Sequence, residues 1–251
     1  MTVIGFRLDG RRALVTGASR GIGRAAAEAL AAAGAAVTLA ARHEAELAKG
    51  AAAIRDAGGQ AEVLTLDVTD TAAVRARLAP TGPYDILVNN AGINRPKPFL
   101  EMDEATFDAL YDVNVRAAYF VAQAVAQGMV AAGRGGVIVN VSSQMGVVGG
   151  KNRTVYCGTK HAVEGMTKAM ALELALHGIR VATIAPTFVE TALAARALAD
   201  PTTRADILAR IPMGRPATVE EVAASVVYLC SPAAGMVTGS HLLVDGGWTA
   251  Q

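Results

Sequence analysis

Three side chains near the middle of the chain have types and spacing that suit acid–base chemistry. Tyr156 and Lys160 lie four residues apart, and Ser143 precedes the tyrosine by thirteen residues. Residues four apart on a helix face the same side, which places an ammonium beside a phenol. A free phenol has a pKa of about 10, and a neighbouring cation lowers the pKa. The spacing therefore predicts a group that exchanges a proton with a substrate oxygen near neutral pH; the alternative is an ordinary helix surface.

A strand, a glycine-rich turn and a helix follow one another near the start of the chain. Residues 12–16 predict a buried strand, 17–23 contain three glycines, and 24–33 form an alanine-rich helical run. Glycines let the backbone approach a pyrophosphate, and a helix N-terminus offers free N–H groups and the positive end of a dipole. This order predicts a dinucleotide-phosphate site, with a plain structural turn as the alternative.

The end of the second predicted strand bears on the choice of cofactor. Sites for NAD commonly place an acidic residue there, but residues 38–43 of this chain contain neither Asp nor Glu. Arg42 stands where a 2′-phosphate would lie, and Arg20 in the glycine turn is a second cation. Guanidinium groups form charge-assisted paired hydrogen bonds with phosphate. The pattern favours NADP(H), with NAD(H) as a possible cofactor and solvated surface charges as the alternative interpretation of both arginines.

Taken together, these motifs resemble the classical short-chain dehydrogenase/reductase family over essentially the whole chain. The residues that carry the resemblance are Thr16, Gly17, Gly21 and Gly23 of the glycine motif, Asn89, Asn90, Ala91 and Gly92 after strand four, Asn114, Ser143, Tyr156, Lys160 and Thr191. One motif departs, because Pro186 is followed by Thr187 where the family usually has glycine. The resemblance implies an NAD(P)(H)-dependent oxidoreductase acting on CH–OH groups.

The resemblance also implies roles for individual residues. Tyr156 is expected to be the general acid in carbonyl reduction, Lys160 to lower its pKa and bind the nicotinamide ribose, Ser143 to stabilise the substrate oxygen, and Asn114 to hold a water against the lysine. The expected cofactor-binding set is Gly17, Ser19, Arg20, Gly21, Ile22, Gly23, Arg42, Asp67, Val68, Asn90, Ala91, Gly92, Tyr156, Lys160, Pro186, Val189 and Thr191. For Asp67, an N-cap of the next helix remains an alternative or additional role.

Short apolar runs alternate with helical runs along the chain. This pattern predicts an α/β fold: one Rossmann-type, doubly wound parallel sheet of about seven strands with helices on both faces. We expect a single domain over residues 1–251, with 1–150 mainly the dinucleotide-binding half. The remainder, 151–251, would hold the catalytic helix, a substrate lid at about 187–215 and the last strand. A long helical run over 104–132 is expected to break near Val113.

Composition excludes several classes of protein. The net charge of +1 does not indicate a basic surface for binding nucleic acid. No apolar run approaches the roughly 20 residues that a membrane-spanning helix needs. Two cysteines suggest no disulfide framework, which favours a cytoplasmic protein. The four histidines are scattered, so no metal site is predicted. The apolar content of 52% is high enough to suggest subunit interfaces, and the resemblance implies a homotetramer.

The identity of the substrate is the property that the sequence constrains least. Candidate contacts for a small carbonyl or alcohol substrate are Asn94, Gln144, Gly150, Arg153 and Thr187. The lid carries Leu193, Leu198 and Ile207, either as an apolar cover or as a helix face that packs down. Three interpretations remain open: an NADPH-dependent reductase of a ketone, keto sugar or keto acid; a 3-oxoacyl carrier-protein reductase with a basic patch that includes Arg134; and a nucleotide-binding regulator without turnover.

Overall fold

A computed structural model of the protein describes residues 5–250. The side chains of residues 193, 196 and 197 are outside this description, and with them the expectation for Leu193.

Seven parallel strands form one sheet in the order β3-β2-β1-β4-β5-β6-β7. Their bounds are β1 Arg12–Thr16, β2 Ala36–Ala41, β3 Gln60–Thr65, β4 Ile86–Asn89, β5 Gly136–Val141, β6 Ile179–Pro186 and β7 His241–Val244. The central strands are almost continuously buried because helices cover both faces, as expected for a parallel sheet. The predicted fold class is confirmed, and the first strand, predicted over residues 12–16, has those bounds.

Two apolar layers hold the helices to the sheet. One face packs α1 and α9, and the other packs α3 and α5. The helices are α1 Gly21–Ala32, α2 Glu44–Asp56, α3 Thr71–Leu78, α4 Glu104–Tyr111, α5 Ala118–Ala132, α6 Thr154–Leu174, α7 Ala192–Ala199, α8 Pro201–Ala209 and α9 Val219–Cys230. The order of strands reverses direction between β1 and β4, and such a switch point opens a ligand crevice at the carboxyl ends of the strands.

The predicted break near Val113 is a change of helical pitch. Between α4 and α5, the residues Asp112–Ala117 form a π-helical segment, so the chain continues without a turn. Wider π-helical turns of this kind are frequent at functional sites. Asn114 lies in the segment and is buried.

The expected lid consists of two short helices. Thr191 caps α7, and Asp200 caps α8 by accepting from the Thr203 N–H at 2.8 Å. Ile207 of α8 is only 4% exposed, which favours the interpretation that this face packs down, whereas Leu198 is half-buried. In the expected lid, α8 therefore packs against the rest of the protein through Ile207, and α7 borders the cleft.

Within residues 5–250, no helix is long and apolar enough to span a bilayer. The same residues contain no cluster of His, Cys, Asp and Glu side chains with the arrangement of a metal site.

Candidate active site

A cleft of about 1230 Å³ lies along the carboxyl ends of the strands. Ser143, Tyr156 and Lys160 share its wall with most of the predicted cofactor and substrate residues, namely Gly17, Ser19, Arg20, Gly21, Ile22, Arg42, Asp67, Val68, Asn90, Ala91, Gly92, Asn94, Gln144, Arg153, Pro186, Thr187, Val189 and Thr191. Gly23, Asn114 and Gly150 are not part of the wall. Residues from seven parts of the sequence therefore meet at one site.

The glycine turn leaves its backbone open to a ligand. Gly17 and Gly21 have φ angles of 64° and 57°, in the left-handed region that glycine adopts without steric cost. A Cβ on Gly23 would lie 2.5 Å from the carbonyl oxygen of Gly17 and would collide with the Asn90 amide. Gly23 thus allows α1 to pack closely against the turn, which explains why it matches the motif without lining the cleft.

The N-terminus of α1 is free to bind an anion. Arg20 precedes the helix without a side-chain capping bond, and the first turn has no acidic residue. Across the cleft, Asn90 donates to the carbonyl oxygens of Thr16 and Gly17 at 3.0 and 3.2 Å, and the Thr16 hydroxyl accepts from the N–H groups of Asn90 and Ala91. Open N–H groups at a fixed helix terminus fit a dinucleotide pyrophosphate.

The opposite end of the nucleotide half is basic. Arg42 directly follows β2 and is exposed on the cleft wall. Asp67 accepts from the N–H and the hydroxyl of Thr69 at 3.0 and 2.7 Å. The Thr69 N–H holds the pKa of Asp67 below its ordinary value, and the Arg42 cation lowers it further. The N-cap of α3 is Asp70, so the alternative capping role for Asp67 is wrong.

Ser143 is the second residue after the end of β5. Its hydroxyl donates to Gln144 Oε1 at 2.7 Å and accepts from the Met145 N–H at 3.1 Å. The Ser143 hydroxyl also acts to lower the pKa of Tyr156, against the effect of burial. Ser142 is buried, and its Oγ has no hydrogen-bond partner among residues 5–250. Both serines line the cleft, and the assignment of Ser143 over its neighbour stays a prediction.

The acid–base pair differs from the sequence-based expectation in one respect. Burial raises the pKa of Tyr156 to about 12, although Ser143 and then Arg153 oppose the increase. The Lys160 ammonium lies 5.7 Å from the tyrosine ring centroid and donates to the Val141 carbonyl at 2.8 Å. Burial lowers the pKa of Lys160 to about 8. The expected lowering of the tyrosine pKa is wrong for the protein alone, because the cost of desolvating the phenolate exceeds the attraction of nearby charges.

Asn114 forms hydrogen bonds to the loop after β4 and to α6 next to the cleft. Its Nδ2 donates to the Ile93 carbonyl at 2.9 Å and to Thr159 Oγ1 at 3.2 Å, and its Oδ1 accepts from the Ile93 N–H at 2.8 Å. A Cβ on Gly92 would lie 3.3 Å from Asn114 Oδ1 and 3.9 Å from Lys160 Nζ. The asparagine thus fixes the loop after β4 close to the lysine.

The substrate end of the cleft is bordered by two loops that are tied together. The Lys97 N–H donates to the Asn152 carbonyl at 2.9 Å, which joins the loop after β4 to the loop before α6. Asn94 and Arg153 line the cleft from these loops. Gly150 instead lies against the side chain of Met145, so its predicted substrate contact remains a prediction.

Two residues of the wall lie within the predicted lid at about 187–215 but were not singled out from the sequence. Phe188 stacks obliquely on Trp248 with ring centroids 5.9 Å apart, and Thr203 reaches the cleft from the lid. Their positions depend on how the lid folds over the last strand, and no local motif signals that arrangement. Cys157, His161 and Cys230 are not part of the wall; His161 is exposed, and its Nδ1 lies 2.9 Å from the Cys157 carbonyl oxygen.

Comparison with known proteins identifies the family. Residues 17–249 match the family model described as Enoyl-(Acyl carrier protein) reductase. L-xylulose reductase of Bos taurus is 46% identical over 245 residues, which cover 98% of this chain and 99% of that protein. The chain belongs to the short-chain dehydrogenase/reductase family. It is an oxidoreductase that acts on CH–OH groups with a nicotinamide dinucleotide.

Other members of the short-chain dehydrogenase/reductase family resemble the chain over similar lengths. D-erythrulose reductase of Gallus gallus is 44% identical, with 95% of this chain and 96% of that protein covered. The crystal structure of a gluconate 5-dehydrogenase from Burkholderia cenocepacia, in complex with NADP and tartrate, has a TM-score of 0.94 at 40% identity and covers 98% of both chains. The likeness therefore includes the whole fold and not only the motifs.

Proposed function

We propose that the protein reduces a keto sugar to a polyol with NADPH, reversibly, in the cleft described above. The observation that carries the proposal is that a single cleft is lined both by the arginines Arg20 and Arg42 and by the reactive side chains Ser143 and Tyr156. When bound, NADPH supplies the hydride. The open glycine turn, the uncapped start of α1 and the two guanidiniums fit its phosphates.

The reactive end supplies position and a proton. Tyr156 is neutral near pH 7, because burial raises its pKa to about 12, and a neutral phenol is the form that donates a proton to the oxygen of a carbonyl under reduction. The Ser143 hydroxyl stabilises the negative charge that develops on the same oxygen. Lys160 attracts that charge and binds the cofactor ribose, while Asn114 holds the neighbouring loop. The reverse oxidation requires the phenolate and is therefore expected to accelerate as the pH rises.

Two observations support a keto sugar as the substrate. The relatives include proteins named for the reduction of L-xylulose and D-erythrulose. Around the reactive end, the wall carries the polar side chains of Asn94, Gln144, Arg153 and Thr187, which suit the hydroxyl groups of a polyhydroxy ketone. A ketone without hydroxyl groups leaves such buried polar groups unpaired, which costs binding energy.

The substrate proposal is tested by initial rates of NADPH oxidation with four-, five- and six-carbon keto sugars, a keto acid and a 3-oxoacyl thioester. We expect the highest kcat/KM with a keto sugar. Faster turnover of the thioester, together with binding of a carrier protein, would replace the proposal with its main alternative.

One contact argues against the carrier-protein alternative. Arg134, the candidate for a basic docking patch, forms an ion pair with Asp85 at 3.1 Å. Asp85 immediately precedes β4, so this pair lies at the amino end of the strand, whereas the cleft lies at the carboxyl ends. Arg134 therefore lies at the opposite end of the strands from the cleft mouth, where an acyl carrier would have to bind.

Replacing Arg42 by alanine is expected to weaken NADPH binding selectively. A charge-assisted hydrogen bond contributes about 1.5–3 kcal/mol, so the Kd for NADPH should rise roughly 10- to 150-fold. NADH lacks the 2′-phosphate, and its Kd should change by less than about threefold in the same variant. Isothermal titration of both cofactors measures the difference; an equal loss for both would assign Arg42 a structural role.

We also propose a homotetramer in the cytoplasm. Exposed apolar side chains on and after α5 and α6 support an interface, including Tyr119, Val130, Leu172 and Leu176. Two buried, unpaired cysteines are compatible with a reducing compartment. Light scattering coupled to size exclusion should give four times the chain mass of 25.7 kDa; elution as a monomer would contradict the assembly.

A further inference from the structure

Glu164 is a buried acidic residue that the proposed mechanism does not use. It is 7% exposed and lies on α6, one helical turn after Lys160. The Thr183 hydroxyl of β6 donates to its Oε2 at 2.8 Å. Its Oε1 is buried without a hydrogen-bond partner among residues 5–250. Because a buried carboxylate is costly unless it is paired, its position requires a compensating charge.

Lys160 is the buried cation one turn before Glu164 on α6, whereas Lys168, one turn after it, is exposed. Lys160 is 6% exposed, and one of its three donor positions is used by the Val141 carbonyl. Burial disfavours the ammonium and lowers the pKa of Lys160, whereas the Glu164 carboxylate acts in the opposite direction. The Glu164 carboxylate thus offsets part of the cost of burying the Lys160 ammonium.

The glycine of the turn after Ser143 makes room for this pair. A Cβ on Gly146 would lie 2.7 Å from Ser142 Oγ, 3.1 Å from Glu164 Cγ and 3.2 Å from the Lys160 carbonyl oxygen. Ser142 Oγ and the Glu164 side chain therefore lie on the same side of Gly146, and Ser142 Oγ and Glu164 Oε1 are both buried without partners among residues 5–250. One bridging water or a small side-chain rotation would let the serine donate the hydrogen bond that the carboxylate lacks.

We propose that Glu164 is a positioning residue that keeps Lys160 in its ammonium form behind the reactive tyrosine, with Ser142 as its hydrogen-bond donor. The idea rests on the proposed function, since it concerns the lysine of that mechanism. The other titratable side chains of α6 are Tyr156, Cys157, His161, Lys168 and Glu173. The segments packed against it carry Glu104, Asp108, Tyr111, Asp112, Arg116, His177 and Arg180, and Arg153 directly precedes the helix. Among all charges, the Glu164 carboxylate is the one that shifts the pKa of Lys160.

The test is the pH profile of kcat/KM for NADPH-dependent reduction by the full-length protein and its Glu164→Gln variant. Loss of the carboxylate should lower the pKa of Lys160 and move the alkaline limb of the profile to lower pH by about one unit, the small end of the effect of a nearby opposite charge. Near pH 6, below both limbs, Lys160 keeps its proton in both proteins, and the rates should converge to within a few-fold.

The matched control is Glu173→Gln, which removes an equal charge from an exposed position on the same helix and should leave the limb in place. An unchanged limb in Glu164→Gln, or a uniform loss at every pH, would overturn the proposal. Thermal unfolding and NADPH binding verify that Glu164→Gln is folded. If it is not, the test uses Glu164→Asp, which keeps the charge and should fold with the wild-type alkaline limb. A shifted limb in Glu164→Asp also overturns the proposal.

The profile is measured with a keto sugar and with a hydroxyl-free diketone. Failure of the wild type to reduce the keto sugar, together with turnover of the diketone, would reject the substrate proposal and still leave the Glu164 comparison intact. The two failures are therefore distinguishable.

Discussion

Replacing Tyr156 by phenylalanine should lower kcat by about 10²–10⁴-fold, the usual contribution of general acid–base catalysis. The substitution removes the one hydroxyl that is placed to donate a proton and keeps the ring against Lys160, 5.7 Å from its Nζ. NADPH affinity should therefore change little. Steady-state rates with a saturating keto sugar and a fluorescence titration of NADPH separate these two effects.

A matched control for this variant is Tyr84→Phe. Tyr84 is buried in the core, and its hydroxyl contacts Thr38 Oγ1 at 3.3 Å, away from the cleft wall. Its loss removes a neutral hydrogen bond, which costs about 0.5–1.5 kcal/mol of stability and leaves turnover intact. If Tyr156→Phe kept kcat within tenfold of the wild type, another group would have to be the proton donor.

Replacing Ser143 by alanine should lower kcat by about 10²–10³-fold, the scale observed when one donor to a developing oxyanion is removed. In the protein alone, this hydroxyl donates to Gln144 Oε1. We expect it to turn to the substrate oxygen, because a donor aimed at developing charge is stronger in a water-excluded site than in solution. KM should change less than kcat, since the interaction strengthens in the transition state.

Ser142→Ala provides the comparison, because both serines follow β5 and only one is predicted to touch the substrate. Ser142 Oγ faces the small volume beside Gly146. Its removal should reduce kcat by less than about tenfold at pH 6. A larger loss for Ser142→Ala than for Ser143→Ala would reverse the assignment of the two serines.

Much of the fold and of the reactive end could be predicted from the sequence. Buried parallel strands are mostly apolar runs, as in β1, β4 and β5, and each of these three is followed by a glycine or a polar residue. Side chains that follow such strands must converge on one edge of the sheet, which is why Ser143, Asn90 and Arg42 meet in a single cleft. The spacing of Tyr156 and Lys160 needed only the geometry of one helix.

The electrostatics of the site could not be derived in the same way. The lysine spacing predicts a lower tyrosine pKa, but the observed shift depends on how much water the fold removes from Tyr156, and that is a property of the whole cleft. Glu164 has no motif, because its importance comes from burial against β6 and Gly146. Likewise, Phe188 and Thr203 enter the wall only through the tertiary arrangement of the lid.

The most direct test of the central claim follows the hydride itself. NADPH carrying deuterium at C4 of the nicotinamide, prepared in both stereochemical forms, is oxidised with a keto sugar, and the product is examined by mass spectrometry and NMR. The account predicts that one of the two forms delivers one deuterium per turnover to the former carbonyl carbon, and that Tyr156→Phe suppresses this transfer. Oxidation of NADPH without deuterium at that carbon, from either form, would contradict it.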